Sequence, residues 1–261
     1  MIRHGIFFHD ETYLVSFPRS GANWLRYCVE VITKQATFGV KPAARGHNAL
    51  TPLDNSVEFA VKKILNEELI DGTEINQKPI LQHSHLWLTG YSSTRIVLLV
   101  RNPKEAILRD IRATMIHDKY VKGFIQANPL TVLLTPDGIR DYTNIINRYV
   151  DHPGPKHLVY YEDLKNDPEK TLIECTSFLM NTDTTEIVKK FMEDYSYHNE
   201  RSVKIYNNGA GPGGKSYTGG SAKNTMHSDE LLSDSDKKKW DKYIIKNHPK
   251  VVPIVERYFE K

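Results

Sequence analysis

The sequence predicts an α/β fold: a single domain with a central parallel β-sheet flanked by helices on both faces. Three observations carry this. Short apolar runs of strand length alternate with segments of helical apolar period along the chain. The run Arg95-Ile-Val-Leu-Leu-Val100 is apolar after its first residue, which suits a strand buried on both faces, as parallel strands are. At 261 residues, the chain suffices for one sizeable domain or at most two small ones.

Tyr13-Leu-Val-Ser-Phe17 reads as a buried strand that Pro18 closes. From Ala22 the apolar period becomes helical, with Trp24, Leu25, Cys28, Val29 and Ile32 on one stripe. Residues 36–55 hold Gly39, Pro42, Gly46 and Pro52 without a sustained period and read as a loop. Val57 to Ile70 reads as a helix that Asp71-Gly72 ends. Pro79 to His85 reads as a short strand or strand end, and Arg95 to Val100 as the strongest strand. Pro103 suits the first turn of a helix running to about His117. Residues 118–137 are mixed and read as a loop, and Gly138 to Val150 as a helix. His157 to Tyr161 reads as a strand. Asp167 and Pro168 then serve as cap and first position of a helix to about Met180. Trp240, Tyr243 and Ile244 mark an amphipathic helix near the C-terminus.

Composition narrows the function classes. Hydrophobic residues are 39% and charged residues 26%, which suits a globular chain and not a disordered one. Lysine and arginine exceed aspartate and glutamate by 35 − 32 = 3. So small a surplus argues against a nucleic-acid partner. Cys28 and Cys175, the only cysteines, make neither a disulfide framework nor a CxxC metal site, and both read as buried thiols. Met1 to Asp10 lacks a signal-peptide pattern. The longest apolar run, Ile96 to Val100, falls far short of the roughly 18 residues that span a bilayer. The expectation is a soluble, cytoplasmic protein without a membrane partner.

The segment Phe17-Pro-Arg-Ser-Gly-Ala-Asn-Trp24 joins a predicted strand to a predicted helix. Gly21 permits a tight turn and close approach of a ligand. The helix start offers unpaired N–H groups and the positive end of the helix dipole. Arg19 and Ser20 add a cation and a hydroxyl. Together they make an anion cradle. The plainer reading is an ordinary strand-to-helix turn that happens to hold an arginine. His85 stands at a strand end, where an imidazole is placed for proton transfer.

Pro18-Arg19-Ser20-Gly21-x-x-Trp24 resembles the 5′-phosphosulfate loop of the sulfotransferase family, Pro-(Lys/Arg)-Ser-Gly-Thr-Thr-Trp, with Ala22 and Asn23 in place of the threonines. Arg101-Asn102-Pro103 resembles the family's second signature, whose arginine binds the donor's 3′-phosphate. Arg109 stands where the family commonly has a serine on that phosphate. It either grips the phosphate bidentately or points to solvent. His83-Ser84-His85 is similar to the family's Lys-(Thr/Ser)-His, which aligns His85 with the catalytic base and puts His83 in the lysine position. His83 is then an alternative base or a donor-contacting group. Tyr160-Tyr161-Glu162-Asp163 resembles the family's Tyr-Glu-Asp segment, so Tyr161 either stacks near the adenine or packs in the core. Tyr195-Ser196-Tyr197 resembles a later adenine-side segment.

Ser202 to Thr225 carries Gly209, Gly211, Gly213, Gly214, Gly219 and Gly220, and is either a flexible linker or a lid. Gly209 to Ser216 fits the nucleotide-binding pattern GxxxxGK[ST]. That pattern needs a buried strand before it and a helix after it. Arg201 to Asn208 has no clean apolar run, and Tyr217-Thr-Gly-Gly-Ser is a poor helix start, so the match reads as a coincidence of composition. Lys215 to Asn224 loosely resembles the family's lid, Arg-Lys-Gly-x-x-Gly-x-Trp-Lys-Asn, with Gly220, Lys223 and Asn224 in register and Lys215 in the arginine's place.

The resemblance implies a P-loop NTPase-like domain over residues 1–261, with a glycine-rich lid at 201–228. It implies sulfuryl transfer from 3′-phosphoadenylyl sulfate (PAPS) to a hydroxyl or amine of a small-molecule acceptor, releasing 3′-phosphoadenosine 5′-phosphate (PAP). His85 and Arg19 would be catalytic. Arg19, Ser20, Gly21, Ala22, Asn23, Trp24, Arg101, Arg109, Tyr161, Tyr197 and Lys215 would hold the donor. No metal is expected, since cations stand where a kinase would use magnesium. Residues 36–55 and 118–137 would line the acceptor pocket, with Pro42, His47, Tyr120 and Phe124 as walls. Two other readings stay open: a P-loop kinase or NTPase using Gly209 to Ser216, and a non-catalytic nucleotide-binding module, because a fold alone does not establish activity.

Overall fold

Among the described residues, six strands form one sheet: β1 (Thr12–Ser16), β2 (Thr37–Pro42), β3 (Leu50–Leu53), β4 (Leu81–Ser84), β5 (Arg95–Val100) and β6 (Lys156–Tyr160). Their order is β3-β2-β4-β1-β5-β6. β2, β4, β1, β5 and β6 run parallel, and β3 pairs antiparallel with β2 at the edge. The structure, a computed structural model, describes residues 12–35, 37–42, 50–53, 79–85, 94–114, 119–207 and 228–261.

The apolar run of β5 is buried on both faces, as its sequence requires. Ile96, Leu98 and Val100 point into one core, and Val97 and Leu99 into the other, by the two-residue period of a strand. The first core is closed by α2 (Pro103–Thr114), α4 (Pro129–Leu133), α5 (Pro136–Asp151) and α11 (Asp234–Asn247), through residues such as Ile107, Leu133, Tyr142 and Trp240. The second is closed by α1 (Ala22–Thr33), α7 (Pro168–Met180) and α8 (Thr185–Glu193), through Leu25, Cys28, Leu172, Cys175 and Phe191. Both cysteines are thus buried thiols, and burial raises both pKa values, that of Cys175 to about 12. The remaining α-helices among the described residues are α3 (Lys119–Ala127), α6 (Tyr161–Asn166), α9 (Tyr195–Asn207), α10 (Ser228–Leu231) and α12 (Val252–Val255). Asp167 caps α7, its carboxylate accepting from the Lys170 N–H, with Pro168 in the first turn.

Three expectations need correction. Residues 36–55 are not one loop, because β2 and β3 lie within them. Gly39, Pro42 and Pro52 hid the strand pattern, and β3 is an edge strand, where proline is tolerated. Residues 118–137 hold α3, α4 and the start of α5. Pro129 and Pro136 are first-turn helix residues, not loop residues. Tyr161 is not the last residue of a strand; it opens α6. The predicted helix at Val57–Ile70 lies outside the described residues, as do Lys215 and the whole of Gly209–Ser216.

A buried ionic network explains why α1 passes into β2. The Arg26 guanidinium donates to Thr37 Oγ1 (2.9 Å) and the Thr37 carbonyl (3.0 Å). The Thr37 N–H donates to Glu30 Oε1 at 2.9 Å. Arg26 and Glu30 are both buried, and such charges are tolerated only when fully paired.

Candidate active site

Four neighbouring parallel strands, β4, β1, β5 and β6, bring the predicted site residues to the carboxyl edge of the sheet. His85 follows β4, Phe17 to Gly21 follow β1, Arg101 follows β5 and Tyr161 follows β6. Ligands of open parallel sheets bind at that edge. Register sets the pairs. Val15 aligns with Ser84, so Ser16 and His85 come next in line. Val100 aligns with Tyr160, so Arg101 and Tyr161 do too.

The β1–α1 turn is sharp. Arg19 has φ 66° and Gly21 φ 95°, both left-handed. A non-glycine residue there is uncommon, and such strain collects at functional sites. The Ser20 N–H donates to the Phe17 carbonyl at 3.3 Å, and the first α1 bond runs from Leu25 N–H to the Gly21 carbonyl. The N–H groups of Ala22, Asn23 and Trp24 precede that bond and have no intrahelical partner. The Ser20 hydroxyl is 1% exposed and without a hydrogen-bond partner among the described residues.

Gly21 is also demanded by packing. A Cβ there would stand 2.5 Å from Tyr161 Cδ2 and 2.7 Å from Cε2. The same ring carries the Arg101 guanidinium, whose Cζ lies 4.3 Å from the ring centroid. Gly21→Ala is therefore expected to cost about 1–3 kcal/mol through the left-handed φ and the displaced ring. Thermal melting should show this as a midpoint lower by several degrees. An unchanged midpoint would mean that turn and ring relax freely.

Arg101 is held from several sides. One Nη donates to the Arg19 carbonyl at 3.0 Å, and the other lies 3.7 Å from Glu105. The Tyr142 hydroxyl donates to the Arg101 carbonyl at 2.7 Å. Arg101 Nε is buried and without a partner among the described residues. Burial, then the Arg109 charge, disfavour the Arg101 cation and lower its pKa. Arg109 does not point away into solvent: its Nε donates to Glu105 Oε1 at 2.5 Å. Glu105 Oε2 accepts the Ser228 N–H at 2.7 Å. Burial pushes the Glu105 carboxyl up, but that amide and the two guanidinia outweigh it and hold it below the usual carboxylate range.

On the other side of β1, His85 Nδ1 lies 3.0 Å from the Ser16 carbonyl. A carbonyl only accepts, so Nδ1 carries the proton and Nε2 keeps its lone pair. Burial, reinforced by the Arg19 and Arg26 charges, lowers the His85 pKa against the opposing pull of the Ser16 carbonyl. The ring is neutral near pH 7. His83 is buried, its Nε2 3.1 Å from the Ser16 hydroxyl, and its ring stands edge-on to His85 at 4.5 Å between centroids. Burial, then His85, lower its pKa well below the ordinary value. His83 is therefore neutral and cannot stand in for a lysine's charge.

Beyond Gly21 an aromatic group gathers. Trp24 stacks on Tyr27 at 5.7 Å and meets Tyr195 edge-on at 6.0 Å. The Tyr27 hydroxyl bonds His198 Nδ1 at 3.0 Å. Tyr197, in the first turn of α9, is 55% exposed. The residues just before Gly209 are helical through Asn207, whereas a nucleotide-binding GxxxxGK[ST] loop needs a strand there. Phe124, a predicted acceptor wall, is 53% exposed on α3. Among the described residues no group of three His, Cys, Asp or Glu is placed to hold a metal ion, and no helix is long and apolar enough to cross a membrane.

Sequence reasoning missed Ser16, Glu105, Tyr142 and Glu162. Glu105 left a signal, standing four residues from each of Arg101 and Arg109, and Glu162 stood within the Tyr-Glu-Asp resemblance, which gave it no role.

Mouse sulfotransferase SULT7A1, crystallised with PAP, superposes with a TM-score of 0.53 at 15% identity, over 97% of this chain and 89% of that one. At that identity the likeness concerns the fold. A retinol dehydratase in complex with androsterone and inactive cofactor PAP gives a TM-score of 0.43 at 14% identity, over 92% and 80%. No curated protein sequence matches. The sequence profile described as Sulfotransferase domain, however, matches residues 9–252. By that match, which spans nearly the whole chain, the protein belongs to the sulfotransferase domain family, whose chemistry is sulfuryl transfer.

Proposed function

We propose that this chain transfers a sulfuryl group from PAPS to a hydroxyl or amine of a small-molecule acceptor. The observation that carries the reading is that two of the buried polar atoms without a partner among the described residues, Ser20 Oγ and Arg101 Nε, stand on adjacent loops at one sheet edge. Buried polar atoms normally have partners, so two orphans beside helix-end amides fit a ligand with two separated anionic groups. When bound, the donor supplies the sulfuryl group and leaves as PAP.

The chain's own residues divide the work. The α1 amides, Ser20 and Arg19 hold the 5′-phosphosulfate end and stabilise the charge that grows there. Arg101, just before α2, with Arg109 within that helix, holds the 3′-phosphate, and Lys215 of the predicted lid adds to that grip. Tyr161, Trp24 and Tyr197 offer aromatic faces to the adenine. His85 takes the acceptor's proton at Nε2.

A thermal-shift comparison tests the reading. PAP at a hundredfold excess over its Kd is expected to stabilise the native state by about 2.7 kcal/mol, a rise of roughly 5–10 °C for a chain of this size. ATP with magnesium is expected to do far less. A shift with ATP–magnesium alone would favour the kinase reading at Gly209 to Ser216. PAP binding without transfer of radiolabelled sulfate to any acceptor would favour a non-catalytic module.

A further inference from the structure

The last residues of the chain bond to the start of α2, just after Arg101, and to the start of α6, where Tyr161 stands. The Tyr258 hydroxyl donates to Glu162 Oε2 at 2.5 Å, and Glu162 Oε1 accepts the Asn102 N–H at 3.0 Å. Asn102 in turn caps α2, its side-chain oxygen accepting the Lys104 N–H at 3.0 Å. The Lys104 ammonium is 2% exposed. It donates to the Tyr258 carbonyl at 2.7 Å and to Asp241 Oδ1 at 2.8 Å. Asp241 Oδ2 accepts the Glu260 N–H at 2.8 Å. Arg257 makes a two-pronged pair with Asp163, at 2.8 and 2.5 Å, and the Tyr160 hydroxyl donates to the Ile254 carbonyl at 3.0 Å.

These bonds have a common target. Asn102 and Lys104 stand one and three residues after Arg101. Tyr160, Glu162 and Asp163 flank Tyr161, the ring on which Arg101 rests. An ammonium as buried as that of Lys104 persists only with full pairing, so the strap is fixed in place at the same point that fixes the α2 cap. Glu162 is the sensitive member. Its charge favours the Arg101 cation, and the Tyr258 hydroxyl and the Asn102 N–H each bond one of its oxygens. Burial, then Glu162 itself, raise the Tyr258 pKa far above the ordinary value, so the hydroxyl stays a donor.

We infer that residues 257–260 form a positioning strap for the phosphate-binding arginine, with Tyr258 acting through Glu162 to keep that carboxylate off Arg101. The inference rests on the reading that Arg101 holds the donor's 3′-phosphate. Without the Tyr258 hydroxyl, the Glu162 carboxylate turns toward the guanidinium and competes with the phosphate. Adenosine 5′-phosphate, which lacks that phosphate, is indifferent to the competition.

Calorimetric titration of the 261-residue chain with PAP and with adenosine 5′-phosphate tests this. The wild type is expected to prefer PAP. Tyr258→Phe should weaken PAP by about 5- to 10-fold, the size of one hydrogen bond, and leave adenosine 5′-phosphate unchanged. Glu162→Gln keeps an oxygen for the Asn102 N–H but removes the competing charge. The double variant Tyr258→Phe/Glu162→Gln should therefore regain PAP affinity, a coupling that a merely structural tyrosine would not show. Equal weakening of both ligands, or no recovery in the double variant, overturns the strap. A wild type that binds PAP no better than adenosine 5′-phosphate instead overturns the reading of Arg101 beneath it.

Discussion

His85→Ala is expected to lower turnover by about 10²- to 10⁴-fold, the usual worth of a general base, while PAP binding persists. The orientation of the ring is the reason. The Ser16 carbonyl holds Nδ1–H at 3.0 Å, which leaves Nε2 as the basic atom. Removing the imidazole deletes that base without touching the β1–α1 turn or the Arg101 loop. The pH profile gives a second readout. Burial, then Arg19 and Arg26, lower the His85 pKa, and only the neutral ring accepts a proton. Activity should therefore be retained as pH falls through about 6.5, the ordinary imidazole pKa, and be lost only below it. The acid limb of kcat/KM should vanish with the histidine. Loss of PAP binding in the variant would make His85 a structural residue. A limb that persists in the variant would transfer the role to another group, His83 first.

What the sequence made legible was local. Gly21 after an apolar strand and before a helical stripe announced a sharp turn, and left-handed backbone is what stands there. The unbroken apolar run of β5 announced two covered faces, and two cores meet on it. Pro103 and Pro168 announced first helical turns. What stayed hidden depends on residues far apart in the chain. Nothing beside Gly21 shows that the Tyr161 ring lies against it, because the contact joins β1 to β6 through β5. Ser16 orients His85 through its backbone carbonyl, a role that any residue could fill and that no side chain advertises. β2 was masked by Gly39 and Pro42, and its place is secured by the buried Arg26–Glu30 network at Thr37. Patterns along the chain reveal periodicity and turn chemistry, whereas the fine placement of the site comes from hydrogen bonds between strand ends.

Arg101→Ala is expected to cost about 2–4 kcal/mol of PAP binding, roughly 30- to 1,000-fold, as truncation of a buried charge pair does. Adenosine 5′-phosphate should lose far less, since the β1–α1 turn serves the 5′ end. The argument has one internal rival. Arg101 also donates to the Arg19 carbonyl at 3.0 Å, so its removal can loosen the turn as well as the 3′-phosphate site. The two effects separate by ligand: a loosened turn weakens both nucleotides alike, whereas a lost phosphate contact weakens PAP alone. Glu105 does not confuse the result, because Arg109 and the Ser228 N–H still satisfy it. Arg101→Lys refines the test. Lysine keeps the charge but loses the planar fork that bonds a phosphate bidentately and rests on Tyr161. PAP affinity should therefore fall in the order arginine, lysine, alanine. Equal losses for both nucleotides would reduce Arg101 to a brace for the Arg19 turn and leave the 3′-phosphate without its principal partner.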